Sequence, residues 1–342
     1  MTELERAIRA QPDELRRLAG LELPPHVNRL TAGERLWLVG TGTSLHAAEL
    51  GAAMMERAGI DARFASSMEF AHRAPLRAGD GVIVITHTGE TAHARAARER
   101  ALNLGAELLS LTATGVGWPE AIEVGEREKS QTYTRSYTGA LAVLALIAGE
   151  LGAEALEPEA IVTAASAVEA VLDDPGLEDL PDPERVLVLA GVAGPFAVTA
   201  REGALKLREA ARRLAEGYDA AYLLHGSAVP LGERDGLLLV GRDEDGLLRQ
   251  LAEAAEAEGI AVGWVGPDTP QPGGGVAASG GGVAAPDGGE PVPDGDELMA
   301  QIPLTVRLQL LALRRAQQGG HDPDTVITGA WAADALWNAG AP

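Results

Sequence analysis

Val39-Gly-Thr-Gly-Thr-Ser44 and Ile85-Thr-His-Thr-Gly-Glu-Thr91 decide how this chain is read. Each closes a short apolar run, Leu36 to Val39 and Val82 to Ile85, and each precedes a stretch rich in Ala and Leu. Runs of that length read as buried strands, and the stretches after them as helices. Hydroxyls and glycines therefore fall at two strand-to-helix turns, where free backbone N–H groups and the positive helix end attract an anion. A β-α-β crossover brings both turns to one edge of a parallel sheet. Together they read as a phosphate cradle, with Gly42, Thr43 and Ser44 in the first turn and Thr86, His87, Thr88 and Thr91 in the second.

The pattern occurs twice. Arg35-Leu-Trp-Leu-Val-Gly40 and Arg185-Val-Leu-Val-Leu-Ala-Gly191 have one form, a charge, an apolar run and a glycine, at an offset of 150 residues. Asp80-Gly-Val-Ile-Val-Ile85 and Asp235-Gly-Leu-Leu-Leu-Val240 match at an offset of 155. Near-equal offsets argue for a duplicated unit. Continuous apolar strands alternating with helices imply parallel sheets covered on both faces. The expected fold class is α/β, two tandem doubly wound parallel-sheet units of flavodoxin-like form. An N-terminal helical segment (1–30) precedes a first unit (31–172), and a second (183–342) follows a Pro- and Asp-rich join at 173–183.

The two units are unequal. The second carries Gly241-Arg-Asp-Glu-Asp-Gly246, whose carboxylates would repel a phosphate, so one phosphate site per chain is expected, in the first unit. Residues 266–296 are too dense in Gly and Pro to bury a core and read as a flexible loop around at most one short strand. A helix then resumes from Leu298 to Gln318, with a break expected at Pro303.

Composition narrows the function classes. Against 50 Asp+Glu stand 28 Lys+Arg, a net charge of −22 that disfavours nucleic acid and anionic membranes as partners. The absence of cysteine removes disulfides, thiolate metal sites and thiol nucleophiles. The first twenty residues read as one amphipathic polar helix and not as a signal peptide, and no run is long and apolar enough to span a membrane. A cytoplasmic protein is expected.

Glu202, Lys206 and Glu209 share one helix face after the first strand of the second unit. Spacing alone favours a surface ladder of ion pairs, but the strand's carboxyl edge is where open sheets bind ligands. His225 stands in a loop, where a histidine is commonly a structural donor. His46, His72, His87 and His93 form no metal-ligand spacing, so no metal is expected. Ser44 and Ser227 lack a Gly-x-Ser-x-Gly elbow, and Leu45 occupies the third-glycine position of a dinucleotide fingerprint; no cofactor is expected.

Taken together, these residues resemble the SIS (sugar isomerase) family, especially the isomerase half of glucosamine-6-phosphate synthase and stand-alone phosphosugar isomerases and deaminases. The likeness covers roughly residues 30–330. The family's Gly-Thr-Ser and Ser-x-Ser-Gly-Glu-Thr phosphate turns correspond to residues 42–44 and 86–91, with threonine for serine twice and His87 where glutamine is usual. Its helix Glu-Gly-Ala-Leu-Lys-Leu-Lys-Glu corresponds to Glu202–Glu209, with Arg208 the single change. The resemblance makes Glu209 the enolising base, sets Lys206 near the reacting carbonyl and reverses the surface-ladder reading. It gives His225 a ring-opening role across a dimer interface. Glu128–Thr138 resembles a segment lining the sugar pocket, with Tyr133 where the synthase has serine. Gly320-His-Asp-Pro-Asp324 is kept, whereas Trp331-Ala-Ala-Asp-Ala-Leu-Trp337 departs from the family ending.

The resemblance implies aldose–ketose isomerisation of a hexose- or hexosamine-6-phosphate through an enediol or enolamine, with or without deamination. Sugar-binding roles follow for Glu202 and Tyr133, and a homodimer with shared active sites as the assembly. The chain shows no glutaminase domain and no cysteine to start one, so the synthase reaction is not expected. A sugar-phosphate sensor and a deglycase acting on a sugar–amine adduct are the alternatives.

Overall fold

The computed structural model describes residues 1–33, 35–192, 194–266 and 296–342. The chain begins with two short helices, α1 (Glu3–Arg9) and α2 (Gln11–Ala19), in place of the single helix expected. Pro12 has no N–H for the Ile8 carbonyl, and the Gln11 side-chain amide donates to that carbonyl instead, at 3.1 Å.

The first half forms a sheet from β1 (Leu36–Gly40), β2 (Ala62–Ser66), β3 (Gly81–Ile85), β4 (Glu107–Ala113) and β5 (Ala121–Gly125). Helices α3 (Thr43–Arg57), α4 (Ser67–His72), α5 (Ala92–Leu104) and α6 (Arg135–Glu150) accompany it, and α7 (Pro158–Asp173) leads onward. The second half contains β6 (Leu187–Gly191), α8 (Pro195–Ala211), β7 (Ala215–Asp219), α9 (Ala220–Tyr222), β8 (Gly236–Val240), α10 (Leu247–Ala257) and β9 (Ala261–Val265). It closes with α11 (Glu297–Gly319) and α12 (Asp334–Trp337).

Strand order is β2-β1-β3-β4-β5 in one sheet and β7-β6-β8-β9 in the other. Every pairing is parallel. This is the α/β, doubly wound architecture expected. In each sheet the order reverses beside the first strand, which opens a crevice at the carboxyl edge. The turns after β1 and β3 flank that crevice in the first sheet.

β1, β3, β6 and β8 are buried at every residue, as their unbroken apolar runs require. The charges flanking those runs are paired. Arg35 Nη2 lies 2.6 Å from Asp80 Oδ2, both buried, and Arg185 Nε lies 3.5 Å from Asp235 Oδ1. Each pair ties the start of one central strand to the start of its neighbour.

The break expected at Pro303 does not occur. α11 runs continuously through it, packed against α7 and α8 with most of its residues buried. That packing outweighs one lost backbone hydrogen bond. α3 packs on α8, so the helix after the first cradle turn meets the helix bearing Glu202, Lys206 and Glu209. Of the Gly/Pro-rich segment 266–296 only Gly266 and Asp296 are described, and the loop expected there lies outside the described residues. Among the described residues no helix is long and apolar enough to cross a membrane.

Candidate active site

The first cradle turn is tight. A side chain at Gly40 would place its Cβ 2.2 Å from the Ser44 carbonyl oxygen, and Gly42 adopts φ 59°, ψ −128°, which L-residues rarely reach. α3 therefore starts at Thr43 immediately beside the strand end, with no side chain capping it. α5 likewise starts after Thr91 without a side-chain cap. Uncapped helix starts leave N–H groups available to an anion.

Both turns open into one cavity of about 320 Å³. Gly42, Thr43 and Ser44 line it from the first turn, and Thr86, His87, Thr88 and Thr91 from the second. Tyr133 and Glu209 complete the set of expected residues on its wall. A second hollow of about 390 Å³, between α3, β2 and the start of α8, contains none of them.

The corresponding helix start in the second sheet is filled from within. Asp243 Oδ1 accepts from Leu248 N at 2.9 Å, and Asp245 Oδ1 accepts from Leu247 N at 3.0 Å. These carboxylates take the place an external anion would need.

Glu202 and Lys206 lie behind the cavity wall instead of on it. Glu202 is fully buried, and its carboxylate accepts from Thr43 Oγ1 at 3.2 Å and contacts His46 Nδ1 at 2.6 Å. Lys206 Nζ, also buried, donates to Thr43 Oγ1 at 2.9 Å and to Glu209 Oε2 at 2.6 Å, and lies 3.4 Å from Glu202 Oε1. The Thr43 hydroxyl is thus committed to both and is not free for a phosphate; only the turn backbone at Thr43 remains for one. Burial alone would raise Glu202, but Lys206, His46 and Thr43 hold its carboxyl below the ordinary range. Burial alone would lower Lys206, but Glu202 and Glu209 hold it above its ordinary value. Glu209 is different. Burial, assisted by Glu202, pushes its carboxyl up more than Lys206 and Arg208 pull it down. A carboxylate so placed is a stronger base than a solvated one.

His225 does not reach the cavity within its own chain. It is exposed in a kinked turn with φ −87° and ψ 42°, followed by Gly226 at φ 111°. Tyr222 and Leu224 beside it are 60% and 57% exposed, an uncovered apolar edge.

Sequence reading missed several wall residues. Val326, Ile327 and Trp337 line the cavity from the C-terminal segment. Gln131 Oε1 accepts from Val326 N at 2.8 Å and Ile327 N at 3.0 Å, and Thr132 Oγ1 donates to the Pro323 carbonyl at 2.8 Å. No local pattern announces contacts between segments nearly two hundred residues apart. Thr112 lines the cavity from the end of β4 with its hydroxyl buried and unpartnered among the described residues. His46 was findable, since it lies three positions after Thr43 on α3.

Residues 30–117 match the SIS domain model. The glutamine–fructose-6-phosphate aminotransferase (isomerizing) of Pyrococcus horikoshii is 28% identical over 336 residues, covering 89% of this chain and 52% of that protein. The chain therefore spans about half the length of that relative. The structure of tagatose-6-phosphate ketose/aldose isomerase from Escherichia coli superposes with a TM-score of 0.77 at 18% identity, covering 97% of each chain. That of glucosamine-6-phosphate deaminase from Thermotoga maritima gives 0.69 at 17% identity, covering 95% of this chain and 97% of the other. Residues 30–117, which hold both cradle turns, thus carry the match to the SIS domain, and the fold along the chain is the one these two structures share.

Proposed function

We propose that the chain is a sugar-phosphate isomerase acting on a hexose- or hexosamine-6-phosphate, with Glu209 as the base. One observation carries the reading. Glu209 is the single carboxylate on the cavity wall among the described residues, and it faces the same space as two hydroxyl-rich turns at helix starts. The ligand phosphate would rest on Ser44, Thr86, Thr88 and Thr91 and the turn backbone, which fixes the reacting carbons against Glu209.

In the open-chain sugar, the Glu209 carboxylate takes the proton from the carbon next to the carbonyl. The C–H electrons form the enediol double bond, and the carbonyl oxygen gains the negative charge. The hydroxyl proton of the neighbouring oxygen passes to the former carbonyl oxygen, and Glu209 delivers a proton to the former carbonyl carbon, which leaves the new carbonyl next to it and completes the aldose–ketose exchange. Lys206 acts on Glu209 by holding Oε2, which leaves Oε1 without a bond to the lysine. Glu202, itself held by His46, holds Thr43 and Lys206 in turn. With a 2-amino sugar, the same proton transfer gives an enolamine whose hydrolysis releases ammonia.

His225, exposed in its own chain, would serve ring opening from a second copy, which makes the proposed assembly a homodimer with shared sites. The proposed units are 31–172, carrying the cradle, and 183–342, carrying the base. A panel of hexose and hexosamine 6-phosphates, scored for ketose formation and free ammonia, tests the reading. Conversion of one member is expected; conversion of none would overturn it.

A further inference from the structure

His87 is the cradle residue whose protonation the hydrogen bonds define. The Glu128 backbone N–H donates to His87 Nε2 at 2.9 Å. A ring nitrogen accepting from an N–H carries no proton, so the neutral ring keeps its proton on Nδ1. Among the described residues Nδ1 makes no hydrogen bond, and the ring lines the cavity.

The donor that sets this tautomer is itself held. The Glu128 carboxylate accepts from Ser136 N at 2.8 Å and Thr134 N at 3.2 Å, anchoring residue 128 on the first turn of α6. Tyr133 packs against the imidazole at 5.1 Å between ring centroids. The charges around His87 are Glu128, Arg127 and Arg135, with Arg127 paired to Glu90 at 2.8 Å and Glu209 on the cavity wall. Burial first, then Arg127 and Arg135, outweigh Glu128 and hold His87 below the ordinary histidine range. No Lys or Arg lines the cavity among the described residues.

The geometry points to His87 recognising the phosphate as a neutral imidazole, donating from Nδ1 the proton that Glu128 fixes there, in a cradle that binds a dianionic monoester without a cationic side chain. This rests on the phosphate reading above and adds its electrostatics. Glu128 becomes a positioning residue acting through its backbone. The sign of the pH dependence follows. A neutral donor favours the dianion, so affinity rises as the ligand completes its second ionisation, near pH 6, and then stays level to pH 8. An imidazolium would give affinity that falls over the same interval.

The experiment is a set of nitrogen-15 spectra of the uniformly labelled full chain, covering imidazole and backbone amide signals, free and with glucose 6-phosphate, paired with calorimetric affinities from pH 6 to 8. The expected result is an Nδ1–H tautomer in both states, an Nδ1 shift on binding, and affinity that does not fall with pH. His87→Gln, which keeps a neutral donor, should stay within about threefold of the parent, whereas His87→Leu should lose about tenfold, the scale of one hydrogen bond to a charged group. Two protonated nitrogens in the complex, or affinity falling with pH, would overturn the proposal and leave the phosphate reading intact. So would an anion that shifts the Ser44 and Thr88 amides but not His87. No response at Ser44 and Thr88 with glucose 6-phosphate or inorganic phosphate would overturn both.

Discussion

Lys206 Nζ lies 2.6 Å from Glu209 Oε2, and the lysine is buried while the glutamate reaches the cavity. The pair places a fixed positive charge behind the base and away from the ligand. Lys206 therefore governs the orientation and proton affinity of Glu209, and Thr43 connects it to the phosphate turn.

Glu209→Gln should lower turnover by about 10² to 10⁴ while leaving sugar-phosphate affinity nearly unchanged, because the base is lost and the cradle is kept. Steady-state kinetics and calorimetry on the same preparation check this. Full activity in the variant would remove Glu209 from the mechanism.

The base form of Glu209 is the active one, and its proton affinity is raised. Activity should therefore climb with pH through a value above the ordinary glutamate range and vanish below it. Lys206→Met should move that acid limb to higher pH, since the main charge stabilising the carboxylate is gone. Unpairing buried Glu202 should also cost about 3–5 kcal/mol of stability, seen as a lowered Tm. An unmoved acid limb in a folded variant would contradict the role of Lys206.

Thr43→Val removes the hydroxyl between Glu202 and Lys206, whereas Thr43→Ser keeps it. The valine variant should lose kcat more than it raises KM, and the serine variant should restore kcat. A pure KM effect in Thr43→Val would instead make the hydroxyl a phosphate ligand.

Ser44→Ala with Thr88→Ala should raise KM, each lost hydroxyl being worth roughly 0.5–1.5 kcal/mol, more toward a charged group. Asp243→Ala with Glu244→Ala should leave KM alone, because Asp243 already fills its own helix start. Equal KM effects from the two double variants would refute a single phosphate site per chain.

Mixing inactive Glu209→Gln chains with inactive His225→Ala chains should restore activity if His225 serves a partner's cavity. One pocket of each hybrid would then carry both defects and the other neither. Native mass spectrometry of tagged chains confirms exchange; hybrids that form and stay inactive would exclude the shared site.

The strands and cradle turns were legible because their signals are local. An apolar run such as Val82–Ile85 can only be a buried strand here, and hydroxyls directly after it fall at its carboxyl edge. Glu202 and Lys206 were legible as one face, but not as a face turned inward; only the packing of α3 on α8 shows that Thr43 consumes their polar groups. The unbroken α11 and the tail residues Val326, Ile327 and Trp337 depend on contacts distant in sequence. Local propensity at Pro303 pointed the other way, and tertiary burial overrode it.

The central claim is that Glu209 moves a proton on a sugar phosphate held in the first-sheet cradle. Incubation with hexose and hexosamine 6-phosphates in deuterated water, read by NMR, tests it directly, because proton transfer through Glu209 exchanges with solvent. The account predicts deuterium at the carbon next to the carbonyl for one member of the panel with the parent protein, and none with Glu209→Gln. No incorporation for any member, or equal incorporation in the variant, would contradict it.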